Sequence, residues 1–311
     1  PMNLKGGKQK LGIWMTTSLV IGNMIGGGIF ILPSALAEFG GISIVGWVVS
    51  SIGALLLATV FSKLSRLVTG KSGGPYTYAR EGFGDYVGFL VAWGYWIAVW
   101  VTMATLAIAI VSALSVFFPV LNQKPWMAVS LGLGFVWFLT WVNSMGVRTS
   151  GKVQVLTTLL KILPLVVIIA GGFFFFSTEN FIPFNASDKD PIPAVAITGT
   201  LTLYAFLGLE SATVPSEDIK HPEKTIPRAT ILGTVITTII YILSTVAIMG
   251  LVPLETLATS PAPFADAMKI MTGETGSLIV AGGIAVAAFG ALNGWILIQS
   301  QIAKVISLDG L

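Results

Sequence analysis

Long apolar runs dominate this sequence and limit the folds that it can adopt. A run of about 20 apolar residues, coiled as an α-helix, is long enough to cross the hydrocarbon core of a bilayer. Such runs are found near residues 12–37, 42–68, 86–117, 125–144, 153–176, 194–218, 229–252 and 275–303. Only 10% of the 311 residues are charged, against about 25% in a soluble domain. The sequence therefore predicts an all-α polytopic membrane protein with about eight transmembrane helices.

The composition excludes several kinds of functional site. The chain has no cysteine and a single histidine, so we expect no disulfide, no thiolate chemistry and no metal centre. Serine residues such as Ser144 and Ser150 have no acid or base at a spacing that suits nucleophilic catalysis. We therefore expect neither an enzyme nor a bound cofactor. The net charge of +3 does not indicate nucleic-acid binding, because in such a chain the side of the membrane on which the basic residues lie is what matters.

The basic residues fall mainly on one side of the predicted membrane. Thirteen of the 17 lysines and arginines lie in segments on the same side as the N-terminus, whereas Lys124, Lys189 and Lys269 lie on the other. Because Lys and Arg accumulate in cytoplasmic segments, we expect a cytoplasmic N-terminus, with residue 311 on the same side. The first apolar run has no cleavage site, so we expect it to be retained as a span. The remaining basic residue, Lys161, lies within a predicted span.

The first apolar run contains the stretch "IGNMIGGGIFILPSALAEFG", in which Gly22, Gly26, Gly27 and Gly28 crowd the centre. Each internal glycine costs a helix about 1 kcal/mol relative to alanine, so a simple membrane anchor gains nothing from them. Two interpretations fit the spacing. The glycines either allow close helix packing, with Gly22 and Gly26 as a GxxxG pair, or break the helix and offer bare backbone N–H groups to a substrate carboxylate.

A second interruption lies five spans later, in "TLYAFLGLESATVPSED", where Gly208 and Pro215 stand in an otherwise apolar run. Unpaired backbone groups are tolerated at membrane depth only where protein or a cavity surrounds them. Paired breaks in two halves of a chain therefore indicate the substrate site of a secondary transporter. The pair favours the binding interpretation over packing. Asn23 and Ser211 flank the breaks, and either can contact substrate or form a hydrogen bond between helices.

Two ionisable residues lie within the predicted spans, where a charge costs about 2.5–3.5 kcal/mol on insertion scales. Glu210 is either an anchor or proton carrier for an amine substrate, or a structural acid that accepts hydrogen bonds from the backbone at the break. Lys161 lies eight residues after Val153, about 12 Å along the helix. Its long side chain either reaches back to the cytoplasmic surface or provides a buried, titratable ammonium group.

Several motifs occur together along the chain. They are "GNMIGGGIFILPSALAEFGGISIVGW" from the first span onward, "SGGPYTYAREGFG" after the second, "FLGLESA" and "EDIKHPEKTIPRA" in and after the sixth, and "APFADA" and "LNGW" around the eighth. As a set they resemble the amino acid–polyamine–organocation (APC) transporters. The resemblance covers essentially the whole chain, and it is closest to the branch of basic amino acid/polyamine antiporters.

This resemblance implies a LeuT-type inverted-repeat fold, built from two repeats of five helices and usually containing twelve spans. Residues 1–176 would form the first repeat, helices 1–5, with a broken helix 1. Residues 177–311 would form a partial second repeat, helices 6–8, with a broken helix 6. Because only three helices of the second repeat are present, we expect the sequence to be a fragment that does not transport by itself.

The same resemblance assigns roles to individual residues. The expected substrate-binding positions are Asn23, Ile25, Gly26, Gly27, Gly28, Met103, Tyr204, Ala205, Leu207, Gly208 and Trp295. Tyr95 matches a gating aromatic, and Glu210 matches a glutamate linked to proton sensing and substrate-triggered opening. Lys161 is similar to a lysine that occupies the place of a coupling sodium ion and ties the first helix to the fifth.

The expected pocket departs from that of the arginine exchangers. Trp295 matches an aromatic that stacks on a cationic group, a contact worth about 0.5–2 kcal/mol, although a tryptophan can also be an interface anchor. Tyr204 stands in place of a second tryptophan, Met103 in place of a polar amide, and Gly27 in place of a serine. The arginine exchangers also lack a lysine at the position of Lys161. These differences favour proton-sensitive amino-acid transport over strict arginine exchange.

We therefore predict a secondary active permease for amino acids in a prokaryotic inner (plasma) membrane. It would be proton-coupled or proton-sensitive and would bind substrate at the broken helices 1 and 6. An amino acid/polyamine exchanger is the alternative, and a transporter-like amino-acid sensor is the alternative from a different class. The expected partners are an amino acid or amine, protons, the lipid bilayer and, as a candidate assembly, a second copy in a homodimer. No nucleic-acid partner is expected.

Overall fold

The computed structural model describes residues 10–310, and its regular secondary structure is helical apart from one isolated bridge between Leu11 and Ile219. Together with the spans described below, this confirms the predicted all-α polytopic class. Lys5 and Lys8, which contribute to the predicted orientation, lie outside the described residues.

Long helices alternate with short ones along the described part of the chain. The α-helices are α1 (Ile13–Met24), α2 (Leu32–Ala37), α3 (Ser43–Leu67), α4 (Pro75–Phe83), α5 (Asp85–Leu114), α6 (Val120–Gln123), α7 (Pro125–Ser144), α8 (Val147–Gly172), α9 (Pro191–Tyr204), α10 (Pro222–Leu251), α11 (Leu254–Ala258), α12 (Pro263–Thr272) and α13 (Glu274–Leu308). The short helices lie at two interruptions of the apolar segments and in the connections between long helices.

Within residues 10–310, six helices are long and apolar enough to cross a membrane, namely α3, α5, α7, α8, α10 and α13. They correspond to six of the eight predicted spans. The predicted limits of α7 match the structure, whereas α8 begins at Val147 and α10 at Pro222, several residues before the predicted starts. The predicted starts lie too far along the chain because the first turns of both helices carry polar residues such as Arg148 and Glu223. A hydropathy window counts such residues against a membrane helix.

The other two predicted spans, 12–37 and 194–218, are not single helices. α1 ends at Met24, and a non-helical stretch with a short 3₁₀ turn separates it from α2. α9 ends at Tyr204, beyond which the chain forms turns and two short 3₁₀ helices as far as α10. The described chain thus contains six continuous spanning helices and two interrupted apolar segments.

Two long helices, α10 and α13, organise the packing. α13 packs against α5, α7 and α8, whereas α10 packs against α3 and α8, and α1 lies against α8, α10 and α13. Small residues allow close contact, since a Cβ at Gly46 would lie 2.3 Å from Thr198 Oγ1 and one at Gly172 would lie 2.8 Å from Ala247 Cβ. Such close backbone approach is how helices associate in lipid. The interruption after α1 therefore begins inside the bundle, where Ile25 is buried, and becomes exposed at Gly28.

Many large apolar side chains point outward from this bundle. Ile52 is 56% exposed, Trp137 is 71% exposed and Phe174 is 86% exposed. Soluble proteins rarely present so much contiguous apolar surface to water. The outward-facing side chains therefore agree with a bundle surrounded by lipid.

Candidate functional site

The interruption after α1 leaves backbone N–H groups without partners. The Gly26 N–H bonds to the Met24 carbonyl at 2.9 Å instead of to a carbonyl four residues back. In the part of the chain that the structure describes, the N–H groups of Gly27, Gly28 and Ile29 have no acceptor. Bare N–H groups of this kind suit an anion such as a carboxylate.

The interruption after α9 leaves the opposite kind of group unpaired. Gly208 has a φ of 108°, a conformation that residues with a Cβ rarely adopt. Its N–H donates to Glu210 Oε2 at 3.1 Å. The Leu207 carbonyl accepts no hydrogen bond within residues 10–310. A carbonyl oxygen without a donor suits a cationic group such as an ammonium.

The two interruptions contact each other. Asn23 Nδ2 donates to Ser211 Oγ at 2.8 Å, which is the hydrogen bond between helices expected as one alternative for these two residues. Their contact with substrate stays a prediction. A Cβ at Gly208 would lie 3.0 Å from the backbone carbonyl carbon of Asn23. Both this close approach and its positive φ require glycine at position 208.

Lys161 binds the carbonyl end of α1. Its Nζ donates to the carbonyl oxygens of Gly22 and Ile25, both at 2.8 Å, and its side chain is 0% exposed. The last carbonyls of a helix lack intrahelical donors, and the negative end of the helix dipole favours a cation there. Because α8 begins at Val147, Lys161 lies about 21 Å along it. The alternative in which this lysine reaches the cytoplasmic surface is therefore wrong.

Glu210 is buried, and each of its carboxylate oxygens accepts a hydrogen bond. Tyr95 on α5 donates its hydroxyl to Oε1 at 2.8 Å, and the Gly208 N–H donates to Oε2. One alternative from the sequence was a structural acid that accepts hydrogen bonds from the backbone at the break. Glu210 meets this description in part, because one of its two donors is the Gly208 N–H. The contact also brings together two residues that the sequence analysis assigned to gating and proton sensing. That role in transport stays a prediction.

Tyr241 on α10 belongs to the same site and was missed by the sequence analysis. Its hydroxyl lies 2.6 Å from the Met24 carbonyl and 3.1 Å from the Ala205 carbonyl, so it bridges the ends of α1 and α9. Its ring is fully buried against Trp47 and Phe206. The available signal was a lone tyrosine within the apolar run "TTIIYILST", because a buried tyrosine hydroxyl usually needs a partner.

Two of the predicted pocket residues pack in one cluster beside the α1 interruption. Trp295 is 6% exposed, and the partly buried Met103 joins the same apolar cluster, which includes Leu106. A Cβ at Gly26 would lie 3.4 Å from Leu106 Cδ2. The cluster therefore borders the glycine segment, and its described walls are apolar.

The residues predicted from the α9 side are more open. Tyr204 is 65% exposed and lies beside Gly28, where a Cβ would be 3.8 Å from its ring. Leu207 is 57% exposed, so its carbonyl rather than its side chain is the group that fits a binding role. Ala205 contributes a carbonyl to the contact with Tyr241.

A cluster of charged side chains outside the spans ties α4 to the end of α13. Arg80 Nη1 contacts Asp309 Oδ2 at 2.6 Å, and Tyr76 donates its hydroxyl to the same oxygen at 2.7 Å. The hydrogen bond from Tyr76, followed by the contact with Arg80, holds the pKa of Asp309 below its usual range. Burial, followed by the bond to Asp309, raises the pKa of Tyr76 to about 12. Asp309 is therefore ionised and Tyr76 neutral near pH 7.

The chain is similar to known membrane transport proteins. The family model described as "Amino acid permease" matches residues 11–311. A cadaverine/lysine antiporter of Escherichia coli K12 is 35% identical, over 97% of this chain and 68% of its own length. A putative arginine/ornithine antiporter of Bacillus subtilis is 34% identical, over 94% of this chain and 68% of its own length. The putrescine transporter PotE of Escherichia coli K12 is 34% identical, over 97% and 69% respectively.

Proposed function

We propose, from the premise that this chain belongs to the amino acid permease family, that it carries the substrate site of a secondary active transporter for amino acids. Proteins of this family are membrane transporters and not enzymes. The observation that carries the proposal is the contact between the two interruptions, through Asn23 and Ser211. Unpaired N–H groups remain on one side of this contact and an unpaired carbonyl remains on the other.

The proposed binding mode uses backbone groups for the parts that all amino acids share. The substrate carboxylate binds the N–H groups of residues 27–29, and the substrate ammonium binds at the α9 interruption, where the Leu207 carbonyl has no donor. The substrate side chain then lies against the cluster that contains Trp295 and Met103. Support comes from the position of this cluster beside Gly26.

The proposed architecture is a LeuT-type arrangement, with residues 1–176 as the first repeat and residues 177–311 as part of the second. Support comes from the two interrupted helices, α1 and α9, which would be the first helix of each repeat. We also propose a cytoplasmic N-terminus and an inner-membrane location. The asymmetry of the lysines and arginines supports that orientation.

Proton linkage is proposed to run through Lys161, with Glu210 responding to substrate or to a proton. Support for Lys161 comes from its two hydrogen bonds to α1 carbonyls. Bonds from an ammonium group are roughly twice as strong as those from a neutral donor, so loss of the proton would weaken the attachment of α1 to α8. Support for Glu210 comes from its place at the α9 break and its bond from Tyr95.

Exchange of an amino acid for an amine is the second candidate function. It is favoured by the relatives, since the cadaverine/lysine protein and the putative arginine/ornithine protein are both described as antiporters. A sensor built on the same scaffold would share every site residue discussed above. Only a flux measurement separates a sensor from a transporter.

Uptake into proteoliposomes tests these candidates together. The full-length protein that contains this sequence is reconstituted, and a panel of radiolabelled amino acids and diamines is offered with and without a pH gradient and with and without unlabelled internal substrate. Transport of at least one panel member is expected. Stimulation by the gradient indicates proton coupling, and stimulation by internal substrate indicates exchange. Specific binding without any flux would contradict the transporter proposal and favour the sensor.

A further inference from the structure

A buried network of uncharged amides lies between Lys161 and the start of α8. Asn293 Nδ2 on α13 donates to Gln154 Oε1 at 3.0 Å and to the Ser150 carbonyl at 3.2 Å. Asn293 Oδ1 accepts a hydrogen bond from Asn143 Nδ2 at 3.1 Å. Gln154 and Asn293 are 1% and 0% exposed. The network therefore joins α7, α8 and α13 inside the bundle.

The same network extends to the backbone of α1. Gln154 Nε2 donates to the Ser18 carbonyl at 3.4 Å, and Thr158 Oγ1 donates to the same carbonyl at 3.2 Å. Residues 154, 158 and 161 follow one face of α8, because positions four and three apart are neighbours on a helix. Lys161 continues this row to the last carbonyls of α1. Three side chains on one face of α8 therefore donate to carbonyls along α1. Gln154 and Thr158 are uncharged donors, and Lys161 is the charged one.

Two glycines form a slot for the Gln154 amide. A Cβ at Gly22 on α1 would lie 1.7 Å from Gln154 Nε2, and a Cβ at Gly294 on α13 would lie 3.2 Å from Gln154 Oε1. The same Cβ at Gly294 would also lie only 1.9 Å from Asn23 Oδ1. Any side chain at position 22 would therefore push the amide out of the slot. From the sequence, Gly22 was expected either to allow close packing in a GxxxG pair or to weaken the helix with the other glycines, whereas the structure gives it a specific partner, Gln154 on α8.

We propose that Gln154, held in place by Asn293, is a positioning residue that sets how readily α1 separates from α8 and α13. The inference rests on the proposed function, because alternating access requires one group of helices to move against another. Amides suit such a contact. They bond to one another when the helices are together and to water when the helices part, so that separation leaves no buried group unpaired. Gln154 then attaches α8 to α1 through an uncharged hydrogen bond, next to the charged attachment formed by Lys161.

Cysteine labelling measures this separation directly. The chain has no cysteine, so Thr17→Cys introduces a single reporter on α1, at a side chain that is 3% exposed. The labelling rate with a membrane-impermeant maleimide is measured in vesicles that expose the proposed cytoplasmic side. Adding Gln154→Ala should raise the rate about tenfold, the effect of losing a hydrogen-bonded partner. The matched control is Gln299→Ala on α13, whose amide oxygen has no partner in the described chain, and it should leave the rate unchanged.

A compensating pair separates the slot from a general loss of folding. Gly22→Ala should also accelerate labelling and reduce uptake, because its methyl group displaces the Gln154 amide. Combining Gly22→Ala with Gln154→Ala should restore part of the uptake, and labelling should be no faster than in Gln154→Ala alone. Equal labelling in the Thr17→Cys parent and Gln154→Ala, or a double variant no better than Gly22→Ala, would overturn the inference. Faster labelling in Gln154→Ala without uptake of any panel member by the wild type would contradict the proposed function alone.

Discussion

The interruptions after α1 and α9 each bind one buried ionisable side chain, a lysine after α1 and a glutamate after α9. After α1, the ammonium of Lys161 binds carbonyl oxygens, and the N–H groups of residues 27–29 stay unpaired. After α9, the carboxylate of Glu210 binds the Gly208 N–H, and the Leu207 carbonyl stays unpaired. Each charged side chain therefore occupies one kind of backbone group and leaves the opposite kind available. A zwitterion, with one carboxylate and one ammonium, matches what remains.

The two charges are stabilised locally rather than by each other. In residues 10–310 there is no salt bridge between Lys161 and Glu210. Each instead receives or donates two hydrogen bonds at its own break. A lone charge within the hydrocarbon region is costly unless such partners satisfy it. We therefore expect that a substitution at one break can impair that site without disrupting the other.

The largest effect is expected at the α1 break, from Lys161→Ala. The substitution leaves two buried carbonyls without donors, at about 1–3 kcal/mol each, so the initial uptake rate in proteoliposomes should fall by about 100-fold. Any dependence of the rate on pH that Lys161 provides should also disappear. Lys124→Ala, at an exposed lysine, is the control and should match the wild type. A Lys161→Ala rate within twofold of the wild type would mean that the α1 break does not depend on this charge.

At the α9 break, Gly208→Ala should have the next largest effect. An added Cβ is strained at a φ of 108° and would lie 3.0 Å from the Asn23 backbone. Strain of this kind is worth about 1–2 kcal/mol, and the displaced contact adds to it, so we expect roughly 30-fold slower uptake. Gly134→Ala on α7, where nothing lies within 4 Å of the new Cβ, is the matched control. Equal rates for the two variants would show that the two interruptions need not touch.

Glu210→Gln should reduce uptake by about tenfold. The amide has a single acceptor oxygen, whereas Tyr95 and Gly208 both donate to the carboxylate. One buried donor is therefore left without an acceptor, at about 1–3 kcal/mol. Glu217→Gln, at an exposed glutamate, serves as the control. If Glu210→Gln transported normally, the carboxylate would be dispensable at the α9 break. Only the α1 break would then depend on an ionisable side chain.

The smallest effect is expected from Tyr241→Phe, which keeps the buried ring and removes the hydroxyl that bridges both breaks. Only one of the two carbonyls can receive the single hydroxyl proton at a time, so the loss is one neutral hydrogen bond, worth about 1 kcal/mol. Uptake should therefore slow about fivefold, with Tyr86→Phe, at a tyrosine that is 75% exposed, as the control. A loss as large as that of Lys161→Ala would show that the hydroxyl, rather than the ammonium, holds the end of α1.

The sequence predicted the class of fold, and it singled out the residues that carry unusual chemistry in an apolar setting. Gly26, Gly208, Glu210 and Lys161 were identifiable because each departs from what a plain spanning helix requires. Such signals are local, so a single sequence is enough to find them. The proposed substrate contacts of these residues remain predictions.

The attachment of Lys161 to the first helix was expected only from the family resemblance. Other contacts across the bundle could not be predicted, because they join helices far apart in the chain. Tyr241 reaches the end of α1 across 217 positions, and Asn293 reaches Gln154 across 139. Only the packing of the helices brings such pairs together, and no local pattern specifies it. The start of α8 at Val147 was missed for a different reason. A hydropathy window detects apolar segments, so it does not register helical turns that are made of polar residues.

Hydrogen–deuterium exchange at residues 27–29 tests the central claim most directly. The N–H groups of these residues have no acceptor in the described structure, so they should exchange rapidly in the reconstituted protein without substrate. Saturation with the amino acid that gives the fastest uptake should slow their exchange by at least about tenfold, because each N–H that binds the carboxylate is protected. The hydrogen-bonded interior of α8 should be unchanged. Unaltered exchange at residues 27–29 under saturating substrate would contradict the account.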